Sequence, residues 1–538
     1  MAETVLDVAI VGAGVSGVYS GWRLLTHGGG AGSVAVFEAS GRIGGRLLSV
    51  SPPGIPNMKA ELGGMRILPE VQPRISELLK RLNEGASPAQ QIETFAFPVD
   101  KPANIAFLRG VHLRLADFAE HPDKVPYRLN FLEHGKTAGS IVLDALEQLV
   151  PGITAKHLTE YERREMTRTA SFAGKPLHEQ GFWQVLARVI SGEGYQLALD
   201  AGGYESTLNN WNAADAIPWY LSDFGVDSAY YGFRNGFQQV PLVLAERFKQ
   251  AGGALHLNSQ LTGFDWKNGL AELHFQDGAP VQAKALILAM PRRALELITP
   301  GSPFLQDEEV VRLVGSVTPQ PLFKLFTTYS DPWWRPAGVE EGRTVTDLPV
   351  RQTYYWPTDT GASAKNGPAM LMASYDDGLN AGFWDSFRPK RGLGWRKEAR
   401  NVPRPKRFVG EREKAGQGKE MDPEWLANEA PEAMVAEVQR QLGLVHGLMY
   451  VPPALEASFR DWGDDPYGGG WNSWNIGVKS WEVVERIVQP QANVPVYICG
   501  EAYSDAQGWV EGALQTADLM LTRLGVPPLV AAGLKPRG

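Results

Sequence analysis

Arg66 stands in "AELGGMRILP", directly after a double glycine and a methionine, within a mostly apolar stretch. Glycines let main chain come close to a partner, and a guanidinium is the side chain best shaped to hold a planar carboxylate or phosphate. Lys324, in "PLFKLFTTYSDPWW", interrupts an apolar strand pattern, where an unpaired ammonium would be costly unless it snorkels to water. Tyr375, in "AMLMASYDDGL", offers a hydroxyl from a second apolar strand. There is no G-x-S-x-G elbow, no P-loop and no H-E-x-x-H, so these residues speak against acyl or phosphoryl transfer and zinc hydrolysis. The lone cysteine, Cys499, excludes an intrachain disulfide and a cysteine-built metal site.

The elements that must position these groups begin at the N-terminus. "LDVAIVGAGVSGVYSGWRLL" reads as a β-branched strand, a glycine turn and a helix with apolar Val18, Trp22 and Leu25. Gly12 makes the tight turn, Gly14 lets main chain approach a pyrophosphate, and Gly17 lets helix and strand pack closely. The helix N-terminus attracts the phosphate charge. A second strand, "SVAVFEAS", ends in Glu38, placed to accept hydrogen bonds from ribose hydroxyls. The site binds a dinucleotide. Immediately after comes "ASGRIGGRL", whose Arg42, Gly44, Gly45 and Arg46 offer a second phosphate-facing loop.

With this E-x-x-x-R-x-G-G-R run the chain resembles the flavin-dependent amine oxidase superfamily, and through "ELGGMR" the L-amino acid oxidases within it. The resemblance implies an α/β fold with a Rossmann-like FAD-binding domain built from separate segments, a mixed-sheet substrate domain and a helical domain. Expected boundaries are 1–69, 236–320 and 490–538 for the FAD domain, 70–125 and 321–489 for the substrate domain, and 126–235 for the helical domain. "AKALILAMPRRAL" resembles the second flavin segment, with Leu261 where adenine is commonly met. "VPVYICGEAYSDAQGWVEGALQTADLMLTRLG" resembles the C-terminal flavin motif. It implies Gly500-Glu501 near ribityl or pyrophosphate and Trp509-Val510 beside the isoalloxazine. Gly64, Met65 and Arg66 are expected against the cofactor as well. Cys499 precedes Gly500-Glu501 on the buried strand, away from the cysteine that attaches flavin in monoamine oxidases, so non-covalent FAD is expected.

The same resemblance assigns roles at the substrate. Arg66 and Tyr375 would clamp a carboxylate, Lys324 would hold a water against flavin N5, and Trp471 would wall the side-chain pocket. Trp509 would stand beside the flavin, and the Gly508 carbonyl would accept from the substrate amine. The two upstream glycine loops already account for the diphosphate, which favours a carboxylate as Arg66's partner. Tyr354, Tyr355, Trp356, Trp219 and Trp474 rank lower as pocket residues. No match is found for a pocket histidine acting as base. The implied reaction is oxidative deamination of L-amino acids to 2-oxo acid, ammonia and peroxide, with hydride passing from the α-carbon to N5 and molecular oxygen as acceptor. Rings favour bulky apolar or aromatic substrates, whereas Asp215 or Asp223, facing the pocket, would select lysine or arginine. The rivals are an amino-acid 2-monooxygenase, an amine or polyamine oxidase, and a flavin-bearing scaffold without turnover.

Bulk properties agree. A chain of 538 residues, 43% hydrophobic and 21% charged, exceeds one simple core and suits two or three domains. Its net charge of −8 argues against a nucleic-acid binder. The start lacks a basic region followed by a long apolar run, and no apolar stretch is long enough to span a bilayer, so a cytoplasmic location is expected. A homodimer is expected too. The basic, Pro- and Gly-rich stretch 388–419 reads as a solvated loop or insertion rather than an anion- or membrane-binding patch.

Overall fold

A computed structural model describes residues 5–28, 30–88, 90–225, 229–388, 408, 410, 422–464 and 469–530. The basic stretch 388–419 lies almost wholly outside the described residues.

The β-branched strand Leu6–Val11 pairs in parallel with Val34–Phe37 on one side and Val281–Leu288 on the other. Ala254–His256 extends the parallel sheet beyond Val34–Phe37, and Val496–Ile498 pairs with the C-terminal part of Val281–Leu288. The hairpin Leu261–Lys267 and Leu270–Phe275 continues it antiparallel. Strands buried on both faces explain the unbroken apolar runs Val8–Val11 and Leu286–Leu288. Helix Val15–Thr26 packs against helices Gln239–Gln250 and Val510–Arg523. Three distant stretches of chain thus meet in one Rossmann-like layer.

The second sheet is mixed. Its strand order is Glu456–Asp461, Leu322–Tyr329, Ala369–Asp377, Gln352–Tyr355, Gly342–Thr346, Ile105–Leu108 and Val111–Arg114. All neighbours are antiparallel except the parallel pair Gly342–Thr346 and Ile105–Leu108. Trp334, Trp384, Trp425 and Tyr329 are fully buried in its core. The register aligns Tyr375, Lys324 and Arg460 across three adjacent strands, which puts them in one row on one face.

Between the sheets in sequence lie helices Ala138–Leu149, Glu160–Thr169, Gly192–Gly202 and Ala213–Phe224. Thr137 and Thr159 cap the first two, Thr159 through a reciprocal capping box with Glu162. Pro218 inside the last helix leaves the Ala214 carbonyl without its helical donor. Thr167 Oγ1 fills that place at 2.7 Å, so the helix continues to Trp219 and Asp223. The helices are fastened to the first sheet's side through buried charge: Asp215 accepts from Ser480 Oγ at 2.6 Å, and Arg164 donates to the Asp505 carbonyl. The α/β architecture with a parallel and a mixed sheet is as expected. Among the described residues no helix is long and apolar enough to cross a membrane.

Candidate active site

Glycine geometry explains one end of the site. Gly12 has φ +108°, and a Cβ there would lie 2.5 Å from the Ala289 carbonyl oxygen. At Gly17 a Cβ would come within 1.9 Å of the Gly12 carbonyl oxygen, so this glycine serves helix–strand packing and does not face the cavity. Gly45, with φ +58°, would put a Cβ 3.2 Å from Gly14 Cα: the two glycine loops meet face to face. The Gly44 N–H closes them by donating to the Ala13 carbonyl at 2.9 Å.

The charged residues of these loops are engaged with the protein. Glu38 accepts from the Ala13 N–H at 2.8 Å and from the Ser40 N–H and hydroxyl at 2.9 and 2.7 Å. Arg42 donates to the carbonyls of Gly45 (2.6 Å) and Leu47 (3.2 Å), bracing the second loop. Arg46 pairs with Glu501 at 2.6 Å and donates to the Gly470 carbonyl at 2.7 Å. Glu501 also accepts from the Gly508 N–H (2.6 Å) and the Asn472 N–H (3.1 Å), joining the C-terminal loop to the strand that carries Trp471.

These loops line one continuous cavity of about 850 Å³, with Leu261, Met65, Gly64, Gly500, Trp509 and Val510 also on its wall. The residues fit an extended dinucleotide. Close main-chain approach at Gly14 and Gly45 leaves a trough without side chains beside the first helix N-terminus, and Glu38 sits at the strand end. Cys499 is buried, does not line the cavity, and burial pushes its thiol up to about 12. The glycine pair before Arg66 makes room for the chain itself. A Cβ at Gly63 would meet the Arg46 carbonyl oxygen at 2.1 Å, and one at Gly64 would meet Leu47 Cδ2 at 2.6 Å.

Side chains make the other end. Arg66 is 6% exposed and forms no ion pair among the described residues. Its two terminal nitrogens donate to the hydroxyls of Tyr354 and Tyr204, each at 3.2 Å, and its Cζ lies 3.9 Å from the Tyr230 ring centroid. Burial opposes its charge, but the surrounding phenols and Asp223 outweigh that and hold the guanidinium well above its ordinary value. Lys324 donates to the carbonyls of Gly63 (2.5 Å) and Glu61 (3.2 Å), and its ammonium lies 4.7 Å from the Tyr375 ring centroid. Burial pulls this lysine down to about 7, opposed by the Glu61 carboxylate, whose own value burial raises. The Tyr375 hydroxyl lines the same space and makes no hydrogen bond among the described residues.

The aromatic wall is assembled from two distant segments. Trp471 stacks on Trp219, with ring centroids 5.4 Å apart and planes 17° from parallel. The Trp471 indole N–H donates to Ser206 Oγ at 3.0 Å, and that of Trp219 to the Gln507 carbonyl at 2.8 Å. Gly508, with φ +84°, lies against Trp471. Asp377 fixes the turn carrying Ser206 by accepting from the N–H groups of Glu205 (2.7 Å) and Ser206 (3.0 Å) and from the Ser206 hydroxyl.

The structure therefore brings every singled-out site residue except Gly17 onto one cavity. Of the lower-ranked candidates, Trp219 and Asp223 line it. Tyr354 acts from behind Arg66, while Tyr355 and Trp356 are core residues bonded to His446 and the Lys59 carbonyl. Trp474 is bonded to the Ser504 carbonyl in the core. Asp215 belongs to the buried cluster with Ser480 and Arg164. No histidine lines the cavity among the described residues. Sequence reasoning missed Tyr204, Tyr230, Asp377 and Arg460. Arg460 becomes visible only through strand register opposite Lys324, and Tyr204 and Tyr230 lie in loops without a motif.

Residues 15–391 match the family of flavin-containing amine oxidoreductases. The chain is 27% identical to aplysianin-A of Aplysia kurodai over 96% of this chain and 90% of that one. It is 25% identical to an L-amino-acid oxidase of Sistrurus catenatus edwardsii, over 71% of this chain and 68% of that one. Among solved structures, a double mutant of putrescine oxidase superposes with a TM-score of 0.66 and 18% identity, covering 96% of this chain and 98% of that one. At that identity the likeness concerns the fold.

Proposed function

Since the chain belongs to the flavin-containing amine oxidoreductase family, we propose that it is an L-amino acid oxidase that deaminates its substrate oxidatively to a 2-oxo acid, ammonia and hydrogen peroxide. The observation that carries this reading is Arg66. A buried guanidinium faces the cavity with its terminal nitrogens held only by neutral phenols, and a substrate carboxylate completes it. An amine without a carboxylate would leave that guanidinium without an anion in direct contact.

Gly12, Gly14, Glu38, Gly45, Leu261, Gly500, Trp509 and Val510 would hold FAD, without a covalent bond since the Cys499 thiol is outside the cavity. Bound there, FAD supplies the two-electron oxidation of the C–N unit and the reaction with oxygen. Arg66 forks the carboxylate and the Tyr375 hydroxyl donates to it, which fixes the α-carbon and so the enantiomer. Trp219, Trp471 and Tyr204 exclude water, and a drier site favours the neutral amine over the ammonium. Lys324, anchored on two carbonyls, lines the cavity beside Tyr375 and can order a water there.

A peroxide-coupled screen of the twenty L-amino acids with several D-enantiomers tests this reading. Peroxide and 2-oxo acid from L-enantiomers are expected. Amide and carbon dioxide would instead indicate a monooxygenase, and turnover of simple amines alone would overturn the reading.

A further inference from the structure

Trp219 and Asp223 lie four residues apart on helix Ala213–Phe224, so they share one helix face, and both line the cavity. Asp223 is 7% exposed. Its Oδ1 accepts from the Tyr230 hydroxyl at 2.9 Å, and that hydroxyl also donates to the Asp223 carbonyl at 2.6 Å. Its other oxygen has no hydrogen-bond partner among the described residues, and no Lys or Arg comes within ion-pair distance. The other carboxylates at this end are occupied: Asp377 accepts three hydrogen bonds and Glu501 is paired with Arg46. A carboxylate this buried is costly without a cation.

We propose, resting on the oxidase reading above, that Asp223 selects L-amino acids whose side chain ends in a cation, an ammonium or a guanidinium. The substrate carboxylate meets Arg66, the aliphatic stem runs along the stacked indoles of Trp219 and Trp471, and the terminal cation completes Asp223. The spacing suits this arrangement. Arg66 lies on the face of Tyr230 and Asp223 on its hydroxyl, so one phenol ring separates the two charges. Asp223 also lies in the last turn of the helix, which ends at Phe224, and the negative end of its dipole adds to the attraction for a cation. This departs from the bulky apolar or aromatic substrates expected from ring content alone. Those rings flank a stem, and the acid behind them reads its tip. Burial raises the Asp223 carboxyl above its usual range against the pull of Arg66, and an arriving cation would favour its ionised form.

The test compares kcat/KM for L-lysine, L-arginine and L-norleucine with the FAD-loaded full chain, norleucine offering a straight stem without charge. Lysine or arginine is expected to exceed norleucine by about thirtyfold, the worth of a charge-assisted contact. In Asp223→Asn that ratio should collapse to within about threefold, and Asp223→Glu should restore the preference. Norleucine used as well as lysine, or an unchanged ratio in Asp223→Asn, overturns the proposal. A second measurement is independent of turnover: lysine should raise Tm more than norleucine does, and lose that advantage in Asp223→Asn. If no L-amino acid is oxidised yet lysine alone stabilises the chain, the oxidase reading fails while Asp223's selectivity stands. Equal shifts overturn the selectivity.

Discussion

At the cofactor end of the cavity the walls are main chain. A Cβ at Gly12 would lie 2.5 Å from the Ala289 carbonyl oxygen, one at Gly45, which takes a positive φ, would lie 3.2 Å from Gly14 Cα, and the arginines there brace the protein's own loops. At the substrate end the walls are side chains: Arg66 on phenols, Lys324 on two carbonyls, one indole stacked on another. Where main chain packs on main chain, as at Gly12 and Gly17, an added atom overlaps a carbonyl, whereas side-chain walls tolerate exchange and lose function in graded steps. That contrast orders the expected effects of substitution.

The largest effect should come from Gly17→Val. Its Cβ would sit inside the Gly12 carbonyl, so helix and strand must separate, and overlaps of this kind cost several kcal/mol, on the order of 3 or more. Loss of flavin absorbance together with a much lower Tm, or no soluble protein, is expected. A variant retaining stoichiometric flavin would show that the cofactor end is not rigid.

Next comes Arg66→Ala, which removes the carboxylate fork and should lower kcat/KM for L-amino acids by about a hundredfold or more, carried chiefly by KM. Flavin content should stay unchanged, because the residue belongs to the side-chain end. Flavin loss in that variant would mean its partner is the cofactor.

Lys324→Met should act through pH. A lysine held near 7 by burial is charged below that value and neutral above it, so a contribution from its ammonium is complete in acid and fades as pH rises through about 7. The native kcat profile should carry this falling limb, about tenfold in size, and the methionine variant should lack it. A limb that persists in Lys324→Met belongs to another group.

The smallest effect is expected from Tyr354→Phe. It removes one of two phenolic acceptors from Arg66, about 1 kcal/mol or roughly fivefold in KM, with kcat little changed. Combining it with Tyr204→Phe should exceed the sum, since the guanidinium then loses both acceptors. Strict additivity in steady-state kinetics would show that the two phenols do not act through a shared arginine.

Legibility in the sequence follows the same division. Gly12, Gly17 and Gly45 could be placed because close main-chain approach or a positive φ favours glycine there, and the spacing of Gly12, Gly14, Gly17 and Glu38 is set by one strand, one turn, one helix and the next strand. Arg66, Lys324 and Tyr375 could be named, since a charge or hydroxyl inside an apolar run demands an explanation. Several of their neighbours could not. Tyr204 and Tyr230 reach Arg66 from loops that carry no periodic signal, Asp223 could be named only as one of two alternatives, and Arg460 joins Lys324 through register alone. Gly63 and Gly64 line the cavity, but what excludes a side chain at either is residues 46 and 47 of the same chain.

By itself, then, the sequence determined the dinucleotide trough, because its steric rules are local and recur wherever main chain must touch phosphate. Only the tertiary structure decided which acid faces the cavity. Asp215 and Asp223 sit on one helix, eight residues apart and equally acidic in sequence. The fold gives the first to Ser480 and Arg164 and turns the second toward Arg66 and the indoles. The physical reason is that packing partners come from segments hundreds of residues away, and no local pattern records them.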